Sequence, residues 1–182
     1  MKKRLIFLGP PGAGKGTQAS LLCQKKDLLH LSTGDLLRAE VSSETDLGKE
    51  AQLIMNRGEL VSDEIVLSIV EKKLISQAQG WLLDGFPRNL PQAESLEILL
   101  NKINQPIQAV ILIEINDEVL VKRLLARGRE DDNEDVIRNR LDVYRRKTAP
   151  LINHYSSKGI LQAIKGDADV KDVSNQIQLI LN

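Results

Sequence analysis

Directly behind the apolar run LIFLG (5–9) the chain reads GPPGAGKGTQ, residues 9–18, with four glycines and one lysine in ten positions. A glycine-rich turn between a strand and a helix aims several backbone N–H groups at one point, and the helix start adds partial positive charge, so such a turn is a phosphate cradle. The spacing of Gly9, Gly14 and Lys15 fits the P-loop pattern, in which the lysine reaches the outer phosphates of a nucleoside triphosphate. The hydroxyl that usually follows the lysine is displaced by one place: Gly16 stands there and Thr17 carries it. The bland alternative is a glycine turn capping an ordinary helix, but the strand before and the helix after both stand where phosphate binding needs them. Lys15 is expected in a solvent-facing loop.

The rest of the chain repeats that strand-to-helix order. Apolar runs at 4–9, 28–32, 80–85, 109–115 and 159–164 alternate with longer segments of helical period, the pattern of an α/β fold with a parallel sheet covered by helices. Ser32 and Asp35 stand at capping spacing before one helix. Val66, Ile69, Val70 and Leu74 share a face of another, and the helix in DEVLVKRLLARG stops at Gly128. With no linker, repeat or low-complexity tract, the expectation is one domain, 1–182, with inserted pieces.

Composition limits the partners. Lysine plus arginine equals aspartate plus glutamate at 25 each, so no net field draws the chain to nucleic acid or membrane. Aromatic residues make up 3%, too few for base-stacking platforms. The opening MKKRLIFLGPPG imitates a signal peptide only superficially, because its short apolar run ends in the glycine-rich loop. No run is long enough to span a bilayer, and a cytoplasmic protein is expected. The single Cys23 excludes an intramolecular disulfide and a cysteine zinc cluster, and its helical spacing with Ala19 and Leu22 makes it a core thiol. His30 and His154, without a ligand partner at motif spacing, are read as structural.

Arginines recur at the edges of these elements: Arg38, Arg88, Arg123, Arg127, Arg129 and Arg140. Arg123 and Arg127 are four apart, and like charges at that spacing are mildly unfavourable. A solvated basic face is one reading; a triphosphate gripped by planar, multi-donor cations is the other. Asp84 closes the strand WLLD, the place from which a P-loop fold controls magnesium; alternatively it starts a turn with Gly85.

The segments GPPGAGKGTQ, STGDLLR, GWLLDGFPRNLPQAE and RGREDDNEDVIRNRL, followed by YRRKTAPLI, resemble in order the adenylate kinase family of the short-lid type, from about residue 4 to 166. The resemblance implies a P-loop NTPase fold with a five-stranded parallel sheet flanked by helices, a helical NMP-binding insertion at 32–61 and a very short lid at 127–134. It implies reversible, Mg2+-dependent transfer of the terminal phosphoryl group of ATP to AMP, giving two ADP, by a monomer that uses no zinc and binds neither nucleic acid nor membrane. Carried over, Gly12, Ala13, Gly14, Lys15, Gly16 and Thr17 wrap the ATP phosphates, Arg123 and Arg127 reach the same nucleotide, and Gly166 and Ala168 touch its adenine. Thr33, Arg38, Glu59, Leu60, Val61, Gly85, Phe86, Pro87, Arg88 and Gln92 hold AMP. Arg129 and Arg140 cover the transferring group and the AMP phosphate. Lys15, Arg88, Arg123, Arg129 and Arg140 form the catalytic set, and Asp84 acts through magnesium-bound water. No general base is required, because the acceptor phosphate is already an anion.

The lid departs most from the family, with only GRED between Arg127 and Asp132; Asp131 or Asp132 is expected to cap the following helix, or to pair with charge on closure. Other readings are a GTP-dependent switch, for which NKIN (101–104) lacks the required aspartate, a non-catalytic nucleotide-binding regulator, and a UMP/CMP kinase. Thr33 and Gln92 favour AMP as acceptor. Asn89 leans to the pyrimidine kinases unless it is a helix N-cap before LPQAE.

Overall fold

Side chains along β1 (Arg4–Leu8) alternate between two buried faces: Leu5 and Phe7 join one apolar cluster, Ile6 and Leu8 the other. A strand apolar on both sides belongs inside a sheet with helices on both faces, and β1 is the central strand. The computed structural model describes residues 2–75, 80–129 and 132–181. Among them β2 (Leu29–Ser32), β3 (Trp81–Asp84), β4 (Ala109–Glu114) and β5 (Leu161–Lys165) complete a five-stranded sheet in the order β2-β3-β1-β4-β5, every pairing parallel. The expected α/β architecture is the observed one, with the last strand beginning two residues later than its apolar run.

One face of the sheet is covered by α1 (Lys15–Lys26), α6 (Asp117–Arg127), α7 (Glu134–Val143) and α9 (Val170–Leu181). The other carries α4 (Asp63–Ile75), α5 (Leu90–Lys102) and α8 (Pro150–Ser157), with α2 (Thr33–Ser42) and α3 (Asp46–Asn56) beside them. Cys23 is buried on α1, as its spacing predicts. Val66, Val70 and Leu74 are buried on α4, while Ile69 only packs against the cluster. Local signals start and stop these helices. Ser32 Oγ accepts from the Asp35 N–H at 3.3 Å, Asn89 Oδ1 from the Gln92 N–H at 2.8 Å, and α6 ends where Gly128 turns left-handed at φ 66°. Asn89 is therefore the N-cap of α5. A π-helical turn, Tyr144–Thr148, joins α7 to α8.

The register decides where the functional end lies. Phe7 and Ser32 both pair with Asp84, so β1, β2 and β3 finish at one level. The phosphate loop leaves β1 there, and α2 leaves β2 there. At the opposite end of β3, Trp81 is fully buried and its indole N–H donates to Gln105 Oε1 at 2.8 Å. The Phe86–Pro87 bond following β3 is cis.

Candidate active site

Leaving β1, Gly9 passes so close to β4 that a Cβ on it would lie 2.7 Å from the Ile113 carbonyl oxygen. Gly14, at φ 90°, is the left-handed N-cap from which α1 begins, a conformation that glycine adopts without steric cost. The N-terminus of α1 is thereby aimed at the strand ends, where its orphan N–H groups and dipole favour an anion. Lys15 differs from expectation. It opens α1, and its Nζ folds back to donate to Gly9 O at 2.8 Å and Pro10 O at 3.0 Å. Burial pushes the amine down to about 8, opposed by the Asp84 carboxylate and reinforced by Arg88 and Arg127.

The loop forms one wall of a cavity of about 760 Å³ at the carboxyl ends of the strands. Every residue expected in the site lines it except Phe86, which is 1% exposed and packs in the core under α4 and α5. The phenyl ring is apolar and follows a buried strand, so burial in that core dominates its placement. Seven cations, Lys15, Arg38, Arg88, Arg123, Arg127, Arg129 and Arg140, face three carboxylates, Asp35, Glu59 and Asp84, among the described residues of the lining. That excess suits a polyanion.

Most of these arginines are held by a particular oxygen. Arg88 donates from Nε to Gly85 O at 2.6 Å, and the same carbonyl accepts from Thr33 Oγ1 at 3.0 Å. Thr148 Oγ1 in turn donates to Arg88 O at 2.7 Å. Burial lowers the Arg88 guanidinium, with Asp84 opposing and Arg38 adding. Arg38 pairs with Asp35, and Arg129 lies 3.8 Å from the same carboxylate. Although burial pulls Asp35 upward, the hydrogen bonds from Arg38 and Ser32 hold it below the ordinary range. Arg123 reaches Gly166 O at 3.1 Å, tying α6 to the turn after β5.

Asp132 organises the remaining arginines. Its side chain is fully buried; Arg127 donates to it from Nε at 2.8 Å and from NH2 at 2.6 Å, Arg140 from NH1 at 3.1 Å, and the Arg129 N–H at 3.2 Å. The cap of α7 is Asn133, whose Oδ1 accepts from the Val136 N–H at 3.0 Å. Of the two roles expected here, Asp132 has the charge-paired one, and Asp131 lies outside the described residues. Burial and the neighbouring arginines Arg127, Arg88, Arg38 and Arg129 lower Arg140 to about 10.

Asp84, 7% exposed, ends β3 facing the loop: a Cβ on Gly16 would stand 3.5 Å from its Oδ2. His30 lines the cavity, with Nε2 3.7 Å from that oxygen, beyond hydrogen-bond reach; its approach to Asp84 from the neighbouring strand has no signal in local spacing. Gln92 is buried, its amide already engaged by Arg88 N–H and by Asp63.

A parallel sheet with a glycine-rich cradle behind its central strand, faced by clustered cations, defines a P-loop protein built to hold nucleotide phosphates. A family model described as adenylate kinase matches residues 7–160. Curated adenylate kinases from Prochlorococcus marinus are 68% identical over 182 residues (strain MIT 9211; 100% of this chain, 98% of the relative) and 62% identical over 178 residues (strain MIT 9303; 98% of this chain, 98% of the relative). Another, from Synechococcus sp. strain CC9902, is 59% identical over 183 residues and covers all of both chains. The chain belongs to the adenylate kinase family, and it is a kinase that transfers a phosphoryl group between ATP and AMP.

Proposed function

We propose that the cavity holds ATP and AMP together, with the donor phosphates on residues 12–17 and the acceptor under α2 and the 59–61 and 85–92 segments. The observation that carries this reading is the distribution of charge: seven cations line one cavity, and they come from both sides of the phosphate loop. On the donor side, Gly12 to Thr17 wrap the ATP phosphates, Arg123 and Arg127 reach the same nucleotide, and Gly166 and Ala168 meet its adenine. On the acceptor side Thr33, Arg38, Glu59, Leu60, Val61, Gly85, Pro87, Arg88 and Gln92 hold AMP. Arg129 and Arg140 span the transferring group. Lys15 exchanges the Gly9 and Pro10 carbonyls for phosphate oxygens, a trade of neutral for charged acceptors that strengthens its bonds.

The residues present fit Mg2+. The ion takes hard oxygen ligands, usually one or two carboxylates completed by substrate phosphates and water, and the buried Asp84 carboxylate faces the loop beside Gly16. Asp84, through ion-bound water, together with the Thr17 hydroxyl would hold the ion against the donor phosphates. When bound, it supplies neutralisation of the charge on the phosphoryl oxygens. The chain's own part is positioning: its arginines hold two anions in line that would otherwise repel, and the acceptor phosphate attacks without a base. Segments 32–61 and 127–134 act as the NMP-binding insertion and the truncated lid of a single domain, 1–182. The proposal extends to a cytoplasmic monomer working on ATP, AMP and, in reverse, ADP, with neither nucleic acid nor membrane as partner; the balanced charge of the chain supports it, and no helix among the described residues is long and apolar enough to cross a membrane.

The test is an acceptor panel with ATP and Mg2+. AMP is expected to exceed UMP and CMP by at least about a hundredfold in kcat/KM, the discrimination set by two lost hydrogen bonds. Comparable turnover of UMP would refute the assignment of the acceptor pocket to AMP.

A further inference from the structure

Gln92 is not a free amide in the cavity wall. Its Oε1 accepts from the Arg88 N–H at 2.6 Å, and its Nε2 donates to Asp63 Oδ1 at 2.6 Å. Asp63, the first residue of α4, also accepts from Asn89 Nδ2 at 3.1 and 3.2 Å through its two oxygens. Turned over, the Gln92 amide would set its carbonyl against the Asp63 carboxylate and its NH2 against the Arg88 N–H. Acceptor would meet acceptor and donor would meet donor, at a residue only 3% exposed. Buried groups left without partners are costly, and low local dielectric sharpens the penalty. One orientation therefore satisfies the network, and it leaves Gln92 with one N–H and one carbonyl lone pair to offer a ligand.

We infer that Asp63 is a positioning residue that sets base specificity at the acceptor site. By pinning the amide it makes the site accept a 6-aminopurine, whose edge presents an exocyclic amine donor beside a ring-nitrogen acceptor, and refuse a 6-oxopurine, whose edge presents a carbonyl acceptor beside an N–H donor. The inference rests on the proposal that Gln92 reads the base of AMP. Asp63 and Gln92 are 29 positions apart on different helices, so no motif joins them. The simpler role for Asp63, a helix-start acid bracing α4 against α5, would not distinguish two purines of the same size.

The experiment measures kcat and KM for AMP and for inosine monophosphate, with ATP and Mg2+, in the full chain and in Asp63→Asn, Asp63→Glu and Gln92→Leu. The unmodified protein is expected to prefer AMP by at least about a hundredfold, from two mismatched hydrogen bonds. In Asp63→Asn the new amide can donate to a turned Gln92, so the margin should fall about tenfold, one of the two restraints being lost. The change should lie mainly in KM, raised for AMP and lowered for inosine monophosphate. Asp63→Glu, which keeps a carboxylate, should retain more of the margin than Asp63→Asn. Equal losses for both acceptors in Asp63→Asn, with the margin unchanged, would reduce Asp63 to a brace and overturn the inference. A margin that collapses in Gln92→Leu but survives in Asp63→Asn overturns the role of Asp63 alone; one that survives in Gln92→Leu overturns the reading of Gln92 as well.

Discussion

Substituting Asp132 by asparagine removes one charge and almost no volume at the point where three arginines meet. The carboxylate is fully buried and accepts four hydrogen bonds, two from Arg127, one from Arg140 and one from the Arg129 N–H. Removing one partner of a buried pair costs about 3–5 kcal/mol. The side chain of Arg127 keeps 34% exposure, so water relieves part of that loss, and about 2–3 kcal/mol is expected. In a chain of this size that is a fall in Tm of about 5–10 °C. The pH dependence identifies the cause. Burial raises the Asp132 carboxyl, but the hydrogen bonds from Arg127 and the Arg129 N–H prevail and hold it below its ordinary 3.8. A group depressed on folding contributes stability that is fully present above its unfolded value and is lost as pH falls through its folded one. The gap between parent and Asp132→Asn, measured by urea melts followed by circular dichroism, should be constant from about pH 7 to 4 and close below the ordinary aspartate value. With the charge that orients Arg127 and draws on Arg140 and the Arg129 N–H removed, kcat should fall by about a hundredfold, the scale for misplacing one preorganised charge donor. A gap under about 0.5 kcal/mol at neutral pH, the range of ordinary surface changes, or one as large at pH 3, would refute the reasoning.

Lys15→Met should lower kcat by about a hundredfold or more in a coupled assay while the protein stays folded by circular dichroism, because the lost charge serves the phosphates and no apolar contact. In the unmodified protein kcat/KM should decline as pH rises past about 8, where the buried amine of the free enzyme loses its proton. Hydrogen exchange should show segments 32–61 and 127–134 gaining protection with a ligand that joins two adenosines through phosphates, with the larger gain in 32–61; the adenylate kinase lid is itself a standard example of such closure. Equal exchange with and without that ligand would contradict a closing enzyme.

Much of the fold and the phosphate loop are legible in the sequence because local spacing carries them, whereas most of the remaining cavity lining is reached through the family resemblance. The cradle from Gly9 to Thr17, the strand-end Asp84 and the capping positions of Ser32 and Asn89 each depend on neighbours within a few residues. What local spacing does not carry is partnership between elements. Asp132 beside Arg140, Asp63 beside Gln92 and His30 beside Asp84 arise only when helices and strands pack, and the residue types alone allow several pairings. Phe86 shows the converse: it stands inside a segment whose neighbours line the cavity, yet its apolar ring turns into the core. The motif places Lys15 in a loop and so in solvent; the carbonyls of Gly9 and Pro10, at the other end of the same loop, take its amine instead.

Trp81 has a practical consequence. It is the chain's one indole, sealed at the amino end of β3, while Asp84 at the other end of that strand faces the cavity. Lying outside the cavity lining, it reports through its emission whether the sheet is intact, so with excitation at the red edge of the indole band, where adenine does not absorb, fluorescence unfolding curves can be collected at saturating ligand. The only cysteine, Cys23, is buried, and burial pushes its thiol up to about 12. A cysteine introduced at the surface of segment 32–61 would thus be the one thiol that a maleimide dye reaches in the folded state, leaving the native indole to follow stability and the dye to follow closure in a single sample.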